Sequence, residues 1–304
     1  MLRPRALLVL TLTAASVSFG CGKKDAEEPY PLTPPEFIGG ADRPAALYVP
    51  SDYDRTKAYP LVVMLHGYSA NGMLQDAIFG LRERVTKHQF VLVVPEGTRN
   101  SQGRQFWNAF PECCDFEGSG VDDVSYLSAL VEEAATVVHI DRARITSAGH
   151  SNGGYMSYRL ACERPDLFRR VVSLAGSMPV KTESCPEPGA VSLLHVHGSL
   201  DDVVPYGDNV EGSPTTKHGI VTRGAHDTVD RFRKRNGCAE APDREEALDL
   251  LSNVDGAETK ARVWESCDTG ERVVFWDSEG GDHVFLGRNA EFQDRIVEFI
   301  TAPR

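Results

Sequence analysis

The sequence has little positive charge and a clear excess of negative charge. Its 304 residues include 32 Lys and Arg against 44 Asp and Glu, which gives a formal net charge of −12. The densest basic segment, residues 231–235, falls in a predicted helix, where such a cluster is more typical of a solvated face than of a binding patch. Because a nucleic-acid partner requires clustered lysines and arginines that neutralise phosphates, we expect none.

The sequence also lacks an N-terminal apolar run that could span a bilayer. Residues 6–17 are apolar but short, and they follow two arginines, which is the pattern of a signal peptide. We therefore predict that residues 1–20 are a signal peptide and that the protein is exported. Residues 18–21 resemble a bacterial lipobox, which predicts lipidation at Cys21 and an anchor in the cell envelope as the protein's membrane contact. Ordinary cleavage followed by secretion is the alternative.

The sequence shows no internal repeat and no boundary of a second domain. Residues 21–36 are polar and Pro-rich without hydrophobic periodicity, so we predict a flexible tether there. With 41% hydrophobic residues overall, the rest of the chain is able to bury one large core. We predict a single domain over residues 37–304.

The sequence contains no Cys-x₂-Cys pair with matching histidine spacing, which argues against a zinc site. His195 and His197 point to the same side of a predicted strand, but no third ligand is evident beside them. A core or loop-anchoring role therefore suits these histidines better than metal binding. We predict no metal and no organic cofactor.

Six cysteines remain when Cys21 is set aside, and an even number in an exported chain favours disulfides. Sequence alone leaves their connectivity open. The pairs that we favour, because each closes a local loop, are Cys162–Cys185 and Cys238–Cys267, which leaves Cys113–Cys114 as a vicinal pair.

Apolar runs alternate along the chain with segments of helical periodicity. The predicted strands are residues 45–50, 61–65, 89–95, 170–176, 191–198 and 272–277, and the predicted helices are 74–88, 119–140, 226–236 and 291–301. Residues 239–270 suggest a hairpin or an excursion. Asp122 and Asp123 are interpreted as a charged helix start and not as catalytic acids. The alternation predicts one doubly wound α/β domain with a mostly parallel sheet and helices on both faces.

One further motif, Gly149-His150-Ser151-Asn152-Gly153, lies between a predicted strand and a predicted helix. A nucleophilic serine must stand clear of the backbone on a sharp strand-to-helix turn, and glycines two positions away on either side relieve the crowding. The helix that follows would direct its N-terminal amides at a developing oxyanion. We therefore predict that Ser151 is a nucleophile; a Gly-rich turn with a solvated serine is the alternative.

A serine nucleophile needs a base, and the base needs a group that orients it. In enzymes that carry the serine on such a strand-to-helix turn, the partners follow in the order serine, acid, histidine, each in a loop after a strand. The loop after residues 191–198 contains Asp201, and the loop after the last predicted strand contains His283. We predict His283 as the general base and Asp201 as the orienting acid, with Asp202 as the alternative acid.

An oxyanion hole needs two backbone N–H groups. We expect one from Asn152 and the other from Tyr68, in the loop after the first central strand. The candidates for lining the substrate pocket are His66, Trp107 and His150. The alternatives are that His66 only bonds loop backbone and that Trp107 is a hydrophobic plug.

Together these motifs resemble one known group of enzymes. The stretches that carry the resemblance are Leu65-His66-Gly67, Trp107-Asn108-Ala109, Cys113-Cys114, Val121-Asp122-Asp123-Val124, Gly149-His150-Ser151-Asn152-Gly153-Gly154, His197-Gly198-Ser199-Leu200-Asp201 and Gly280-Gly281-Asp282-His283. They are similar to secreted esterases of the polyhydroxybutyrate depolymerase and feruloyl esterase group. The likeness covers most of residues 40–300, although Val284-Phe285-Leu286 stands where those enzymes commonly have an aromatic residue and a proline.

The resemblance implies an α/β-hydrolase fold with Ser151, Asp201 and His283 as the catalytic triad, and it also pairs Cys238 with Cys267. The function expected is that of an exported serine carboxylesterase. Feruloyl or acetyl esters on plant polysaccharide are the first substrates expected, and short-chain polyhydroxyalkanoates are the alternative. A catalytically silent binding protein with the same fold is a further alternative.

Overall fold

The computed structural model describes residues 29–180, 182–207 and 223–303. The predicted signal peptide, Cys21 and the first part of the predicted tether lie outside the described residues. Within these three stretches, no helix combines the length and the apolar character that crossing a membrane requires.

The described residues form a ten-stranded sheet and a separate two-stranded hairpin. The strands are Phe37–Ile38 (β1), Ala45–Tyr48 (β2), Tyr59–Leu65 (β3), Val91–Val94 (β4), Thr98–Arg99 (β5), Gln105–Phe106 (β6), Ile140–His150 (β7), Arg170–Leu174 (β8), Ser192–Gly198 (β9), Arg244–Leu248 (β10), Thr259–Trp264 (β11) and Val273–Ser278 (β12). The large sheet has the order β1-β2-β4-β3-β7-β8-β9-β12-β11-β10, and β5 pairs with β6.

The six central strands, from β4 to β12 in the sheet order, run parallel to one another. Antiparallel strands flank them, with β2 and β1 at one edge and β11 and β10 at the other. Because parallel strands end at the same side of a sheet, the loops after β3, β7, β9 and β12 gather along one side, where α/β proteins place their sites.

The described residues contain six helices. They are Gly72–Phe79 (α1), Val85–His88 (α2), Asp123–Val137 (α3), Asn152–Glu163 (α4), Ala225–Asn236 (α5) and Ala290–Thr301 (α6), with 3₁₀ turns at Arg82–Arg84 and Thr182–Ser184. The side chains of Asn71, Asp122 and Asn289 accept amide hydrogen bonds at the starts of α1, α3 and α6. Such caps satisfy amides that have no partner inside the helix.

The central strand β3 explains why helices cover both faces of the sheet. All seven of its residues are buried, and successive side chains point to opposite faces. Leu61, Val63 and Leu65 pack into a core with side chains of α3, α4 and α5, whereas Val62 and Met64 pack into a second core with α1, α2 and α6. Full burial of one such side chain stabilises the fold by about 2 kcal/mol. The predicted mostly parallel α/β domain is confirmed.

Two helices differ from their predicted extents. The predicted helix at 74–88 is divided, because Gly80 has the left-handed conformation (φ 61°) and caps α1. The chain then continues through the 3₁₀ turn into α2. The helix predicted at 119–140 is shorter at both ends, since α3 begins at Asp123 and β7 already starts at Ile140. Within residues 239–270, β10 and β11 form an antiparallel hairpin.

The two aspartates at the start of α3 have different environments. Asp122 caps the helix, and its Oδ1 accepts from the Ser125 amide at 2.9 Å. Asp123 is fully buried, forms an ion pair with Arg43 at 2.7 Å, and accepts from the Asn108 amide at 2.7 Å. Burial raises the pKa of Asp123, although Arg43 opposes this effect. Both aspartates therefore lie at the charged start of the helix, as interpreted, and Asp123 in addition joins three segments of chain.

Candidate active site

Ser151 occupies a sharp turn between β7 and α4. Its backbone has φ 53° and ψ −120°, a conformation that L-residues rarely adopt and that is held only where the surroundings enforce it. The Ser151 amide donates to the Leu174 carbonyl at 2.8 Å, which fastens the turn to β8. A Cβ on Gly149 would collide with the Gly153 backbone, and a Cβ on Gly153 would collide with the Leu65 carbonyl. Both glycines are therefore needed for the turn to close.

Ser151, His283 and Asp201 form one hydrogen-bonded line. His283 Nε2 lies 3.0 Å from Ser151 Oγ, and His283 Nδ1 lies 2.8 Å from Asp201 Oδ2. Because a carboxylate oxygen only accepts, Nδ1 carries the proton and Nε2 is left to accept from the serine hydroxyl. The structure thus brings together the three residues predicted from the sequence in the geometry of a nucleophile, a base and an orienting acid.

The loops that carry Asp201 and His283 are bonded to each other. They follow β9 and β12, which are parallel neighbours in the sheet. The Leu200 amide donates to the Gly281 carbonyl at 2.9 Å, and the Gly280 amide donates to Ser199 Oγ at 2.9 Å. Asp201 and His283 are consequently positioned as one unit.

The Asp201 carboxylate is buried and fully engaged. Its Oδ1 accepts from the amides of Val203 and Val204 at 2.9 and 2.8 Å, while Oδ2 accepts from His283. Burial acts to raise the pKa of Asp201, but hydrogen bonds from His197 and His283 outweigh it and hold that pKa well below its usual range. Asp202, the alternative acid, is exposed, and the structure places Asp201 against His283.

The amides expected to form the oxyanion hole come from Tyr68 and Asn152. The amides on either side of Tyr68 already have acceptors: the Gly67 amide donates to Gln75 Oε1, and the Ser69 amide donates to the Gln105 carbonyl. Among the described residues, neither Tyr68 nor Asn152 donates its backbone N–H to another protein group. Asn152 is also the first residue of α4, where the helix dipole favours negative charge.

A cavity of about 300 Å³ opens beside Ser151 and His283. The other residues that line it are Tyr68, Arg104, Cys113, Cys114, Phe116, Tyr155, Val203 and Val204. Its wall is therefore mainly aromatic, aliphatic and sulfur-containing. A larger cavity of about 910 Å³ lies between α5 and the β10–β11 hairpin, but its lining is mostly charged and does not include Ser151.

The three residues predicted to line the substrate pocket are not among the residues that line this cavity. Trp107 is fully buried, and its indole Nε1 donates to the His66 carbonyl at 2.9 Å. His66 is also fully buried, with Nε2 accepting from the Gly97 amide at 2.9 Å. His150 is directed at the main chain of His283. The pocket assignment of these residues therefore needs correction, because each side chain is engaged by neighbouring backbone.

Trp107 and Asn152 are joined by a reciprocal pair of hydrogen bonds. The Trp107 amide donates to Asn152 Oδ1 at 2.7 Å, and Asn152 Nδ2 donates to the Trp107 carbonyl at 2.9 Å. The residue after the serine thus holds the loop that contains the vicinal cysteines.

The cavity residues Phe116 and Val204 were not predicted from the sequence. The position of Val204, three residues after Asp201, could have indicated its place in the wall.

The structure joins the cysteines as Cys162–Cys185, Cys238–Cys267 and Cys113–Cys114. The first joins α4 to the segment before β9, and the second joins the segment after α5 to the end of the β10–β11 hairpin. The vicinal pair contributes both of its residues to the cavity wall. In the described part of the chain, no group of three or more His, Cys, Asp or Glu side chains is arranged to hold a metal ion.

The chain is similar in sequence to known esterases. Residues 38–210, more than half of the chain, match the family described as "Putative esterase". "Putative esterase NocK" from Nocardia uniformis subsp. tsuyamanensis is 28% identical over 78% of this chain and 69% of its own length. "Probable feruloyl esterase C" from Aspergillus niger is 28% identical over 78% of this chain and 75% of its own length.

Solved structures share the same architecture. An acetyl xylan esterase from Aspergillus awamori superposes with a TM-score of 0.60, covering 87% of this chain and 98% of its own at 12% sequence identity. A carboxylesterase from Bacillus cereus superposes with a TM-score of 0.52, covering 86% of this chain and 94% of its own at 14% identity. The α/β-hydrolase fold is thus confirmed, and the chain belongs to the esterase family as a carboxylic-ester hydrolase.

Proposed function

We propose that the protein is a serine carboxylesterase that cleaves acyl esters through a covalent acyl-enzyme. The observation that carries this proposal is the hydrogen-bonded line from Ser151 through both ring nitrogens of His283 to Asp201, beside a cavity. In this arrangement Ser151 is the nucleophile, His283 the general base and acid, and Asp201 the group that orients the imidazole.

In the first half of the reaction, His283 Nε2 takes the hydroxyl proton as Ser151 Oγ attacks the ester carbonyl carbon. The carbonyl oxygen becomes an oxyanion, which the N–H groups of Tyr68 and Asn152 stabilise. When the tetrahedral intermediate collapses, the bond between the acyl carbon and the alcohol oxygen breaks. His283 returns the proton to that oxygen, the alcohol leaves, and Ser151 remains acylated.

In the second half, water attacks the acyl carbon and gives one proton to His283 Nε2. The bond between the acyl carbon and Ser151 Oγ then breaks, and Oγ takes the proton back, which releases the carboxylic acid. Asp201 stays ionised throughout and stabilises the imidazolium that forms in each half. The lowered pKa of Asp201 supports this role.

The lining of the cavity supports small acyl groups, including aromatic ones, as substrates. A volume of about 300 Å³ is at the small end of ligand pockets. Phe116 packs edge-on against Tyr68 with 5.4 Å between ring centroids, so an aromatic acyl group would meet an aromatic wall. Since the curated relatives include feruloyl esterases, we infer that feruloyl or acetyl esters of plant polysaccharide are the substrates.

A second candidate substrate is a short-chain hydroxyacid polyester. The exposed apolar side chains near the catalytic loops favour it, since they would give an apolar polymer a surface to rest on. These side chains are Phe116 at 53% exposure, Leu200 at 67%, Val284 at 38% and Leu286 at 58%.

We also propose that the protein is exported, with the signal peptide at residues 1–20, lipidation at Cys21 and a tether to residue 36 before the catalytic domain. Three disulfides support export, because such bonds persist mainly in oxidising compartments. Mass analysis of the mature N-terminus tests this: a lipidated Cys21 is expected, a free N-terminus would favour simple secretion, and an intact Met1 would overturn export.

The proposed activity is tested with p-nitrophenyl acetate and methyl ferulate as paired substrates. Wild type should cleave both, and Ser151→Ala should lower kcat by at least about a thousandfold. Ser125→Ala, at an exposed position on α3, is the matched control and should keep wild-type rates.

The outcome on the two substrates separates the alternatives. A higher kcat/KM for methyl ferulate favours feruloyl esters, whereas cleavage of acetate alone favours acetyl esters. If wild type is inert on both, polyhydroxybutyrate is tested next. Activity there would favour the polyester, and inertness there too would leave the silent binding protein as the better explanation.

A further inference from the structure

Three further buried side chains continue inward from Asp201. His197 Nε2 lies 3.3 Å from Asp201 Oδ2, and His197 Nδ1 lies 3.2 Å from His195 Nε2. His195 Nδ1 in turn lies 2.5 Å from the hydroxyl of Tyr158 on α4. His197, His195 and Tyr158 are fully buried, and none of them lines the substrate cavity.

The neighbours of these groups determine where each proton lies. His197 Nε2 faces two acceptors, Asp201 Oδ2 and the Val204 carbonyl at 3.1 Å, so it must carry a proton. In a neutral imidazole, Nδ1 of His197 is then an acceptor, and His195 Nε2 must donate to it. His195 Nδ1 is consequently an acceptor as well, and the Tyr158 hydroxyl donates to it. One arrangement of protons satisfies all three contacts, and every donor in it points toward Asp201.

Burial keeps His195 and Tyr158, the two innermost of these side chains, neutral. It lowers the pKa of His195 well below the usual range, and the nearby His197 adds to this effect. Burial likewise raises the pKa of Tyr158, so its hydroxyl stays protonated. His195 and Tyr158 therefore keep this arrangement of protons at neutral pH.

We propose that His197 is a positioning residue for the esterase reaction, and that Tyr158, acting through His195, sets the tautomer that His197 needs. The inference rests on the proposed roles of Ser151, His283 and Asp201. The amides of Val203 and Val204 hold Oδ1 of Asp201, and the His197 N–H gives Oδ2 a second donor beside His283. With both oxygens held, the carboxylate cannot rotate away from the base.

Two substitutions of His197 separate donation from packing. His197→Leu removes the N–H donor with a side chain that still fills the core, whereas His197→Gln restores an N–H near the position of Nε2. We expect His197→Leu to lower kcat roughly tenfold with KM little changed, because His197 does not touch the substrate cavity. His197→Gln should recover most of the loss.

The pH dependence of kcat/KM distinguishes loss of the hydrogen bond from loss of packing, because a change in packing alone would not shift it. Without the His197 donor, the Asp201 charge is less well stabilised and holds the proton on His283 more tightly. The acid limb of kcat/KM should therefore move to higher pH by up to about one unit in His197→Leu. Tyr158→Phe should move it in the same direction by less, because His195 loses the donor that sets its tautomer.

Other titratable or charged groups around this line are present in every variant and cannot account for a difference between them. They are Tyr155 on α4, His150 on β7, Asp202 and Tyr206 in the loop after β9, His226 on α5, Asp277 on β12, and Arg288 in the loop before α6.

Tyr59→Phe is the matched control for Tyr158→Phe. Tyr59 is also a buried tyrosine whose hydroxyl forms a hydrogen bond, with the Asp54 amide at 2.9 Å, but it is remote from the active site. Its substitution should leave the pH profile unchanged.

The tautomers are also measured directly, by ¹⁵N NMR of histidine-labelled protein. Protons on Nε2 of both His195 and His197 are expected. A proton on Nδ1 of His197, or a folded His197→Leu variant with the kcat and pH profile of wild type, would overturn the inference. Inactive wild type together with inactive Ser151→Ala would instead overturn the proposed function, so the two failures are distinguishable.

Discussion

The imidazole of His150 donates from Nε2 to the main-chain oxygen of His283 at 2.7 Å. The residue next to Ser151 thus holds the loop that carries His283, and the two imidazole rings are 4.9 Å apart between centroids. Burial lowers the pKa of His150 to about 3, with a smaller contribution from His283. A neutral His150 supports the loop without repelling the imidazolium that the proposed mechanism places on His283.

Replacing His150 should therefore impair catalysis more than folding. His150→Phe keeps an aromatic ring against His283 but removes the donor, so kcat/KM for p-nitrophenyl acetate should fall roughly tenfold. His150→Gln keeps an N–H and is the matched control, with most of the activity retained. Equal losses in both variants would show that ring packing, and not the hydrogen bond, supports the loop.

Acid should destabilise the fold through buried neutral histidines. Burial lowers the pKa of His66, His150 and His195, so below about pH 6.5 the unfolded chain binds protons that the folded chain does not. Their share of stability is complete above this pH and is lost as pH falls, by up to about 1.4 kcal/mol per pH unit for each histidine.

Urea unfolding at a series of pH values from 7.5 to about 4.5 measures this slope. The slope should be shallower in His150→Gln by roughly the share of one histidine. A variant whose slope matches that of wild type would mean that His150 takes up its proton in the folded state.

Phe116 should influence which esters are preferred. It lies in the cavity wall and packs edge-on against Tyr68. Phe116→Ala should raise KM for methyl ferulate about fivefold and change KM for p-nitrophenyl acetate little, because only the larger acyl group would contact the ring. Steady-state kinetics on both esters measure this, and equal changes in KM would place the ferulate ring elsewhere.

The Cys238–Cys267 disulfide should contribute stability and not activity. It closes a loop with a sequence separation of 29 around the β10–β11 hairpin, away from Ser151. Replacing both cysteines by serine should lower the free energy of unfolding by about 3 kcal/mol, since the unfolded chain gains freedom. Urea unfolding gives the change, and kcat of the folded variant serves as the control. Wild-type stability in the variant would contradict this assignment.

The sequence was informative where a local pattern has a local physical cause. The glycines around Ser151 and the buried apolar runs predict the turn and the sheet, because close packing at the turn and burial on both faces of a strand restrict residue type at each position. The order of Ser151, Asp201 and His283 then assigns each to the end of a strand, and parallel strands bring these ends together.

The pocket could not be predicted in this way, because its wall depends on contacts between distant segments. The motifs that contain Trp107 and His66 suggested a place in the pocket wall. In the folded chain, however, each side chain forms a hydrogen bond with the backbone of a distant segment. The sequence likewise could not predict that Asp123, at the start of α3, forms an ion pair with Arg43, eighty residues earlier in the chain.

The three residues of the hydrogen-bonded line follow β7, β9 and β12, strands that lie far apart along the chain. The proposed mechanism therefore requires β12, the last strand described, to pair with β9 before a refolding molecule regains activity. Such long-range pairings close large loops and form slowly compared with helices. Recovery of esterase activity should thus lag behind recovery of the helical circular dichroism signal. The rate of ester hydrolysis would then be a kinetic probe of the last step of folding.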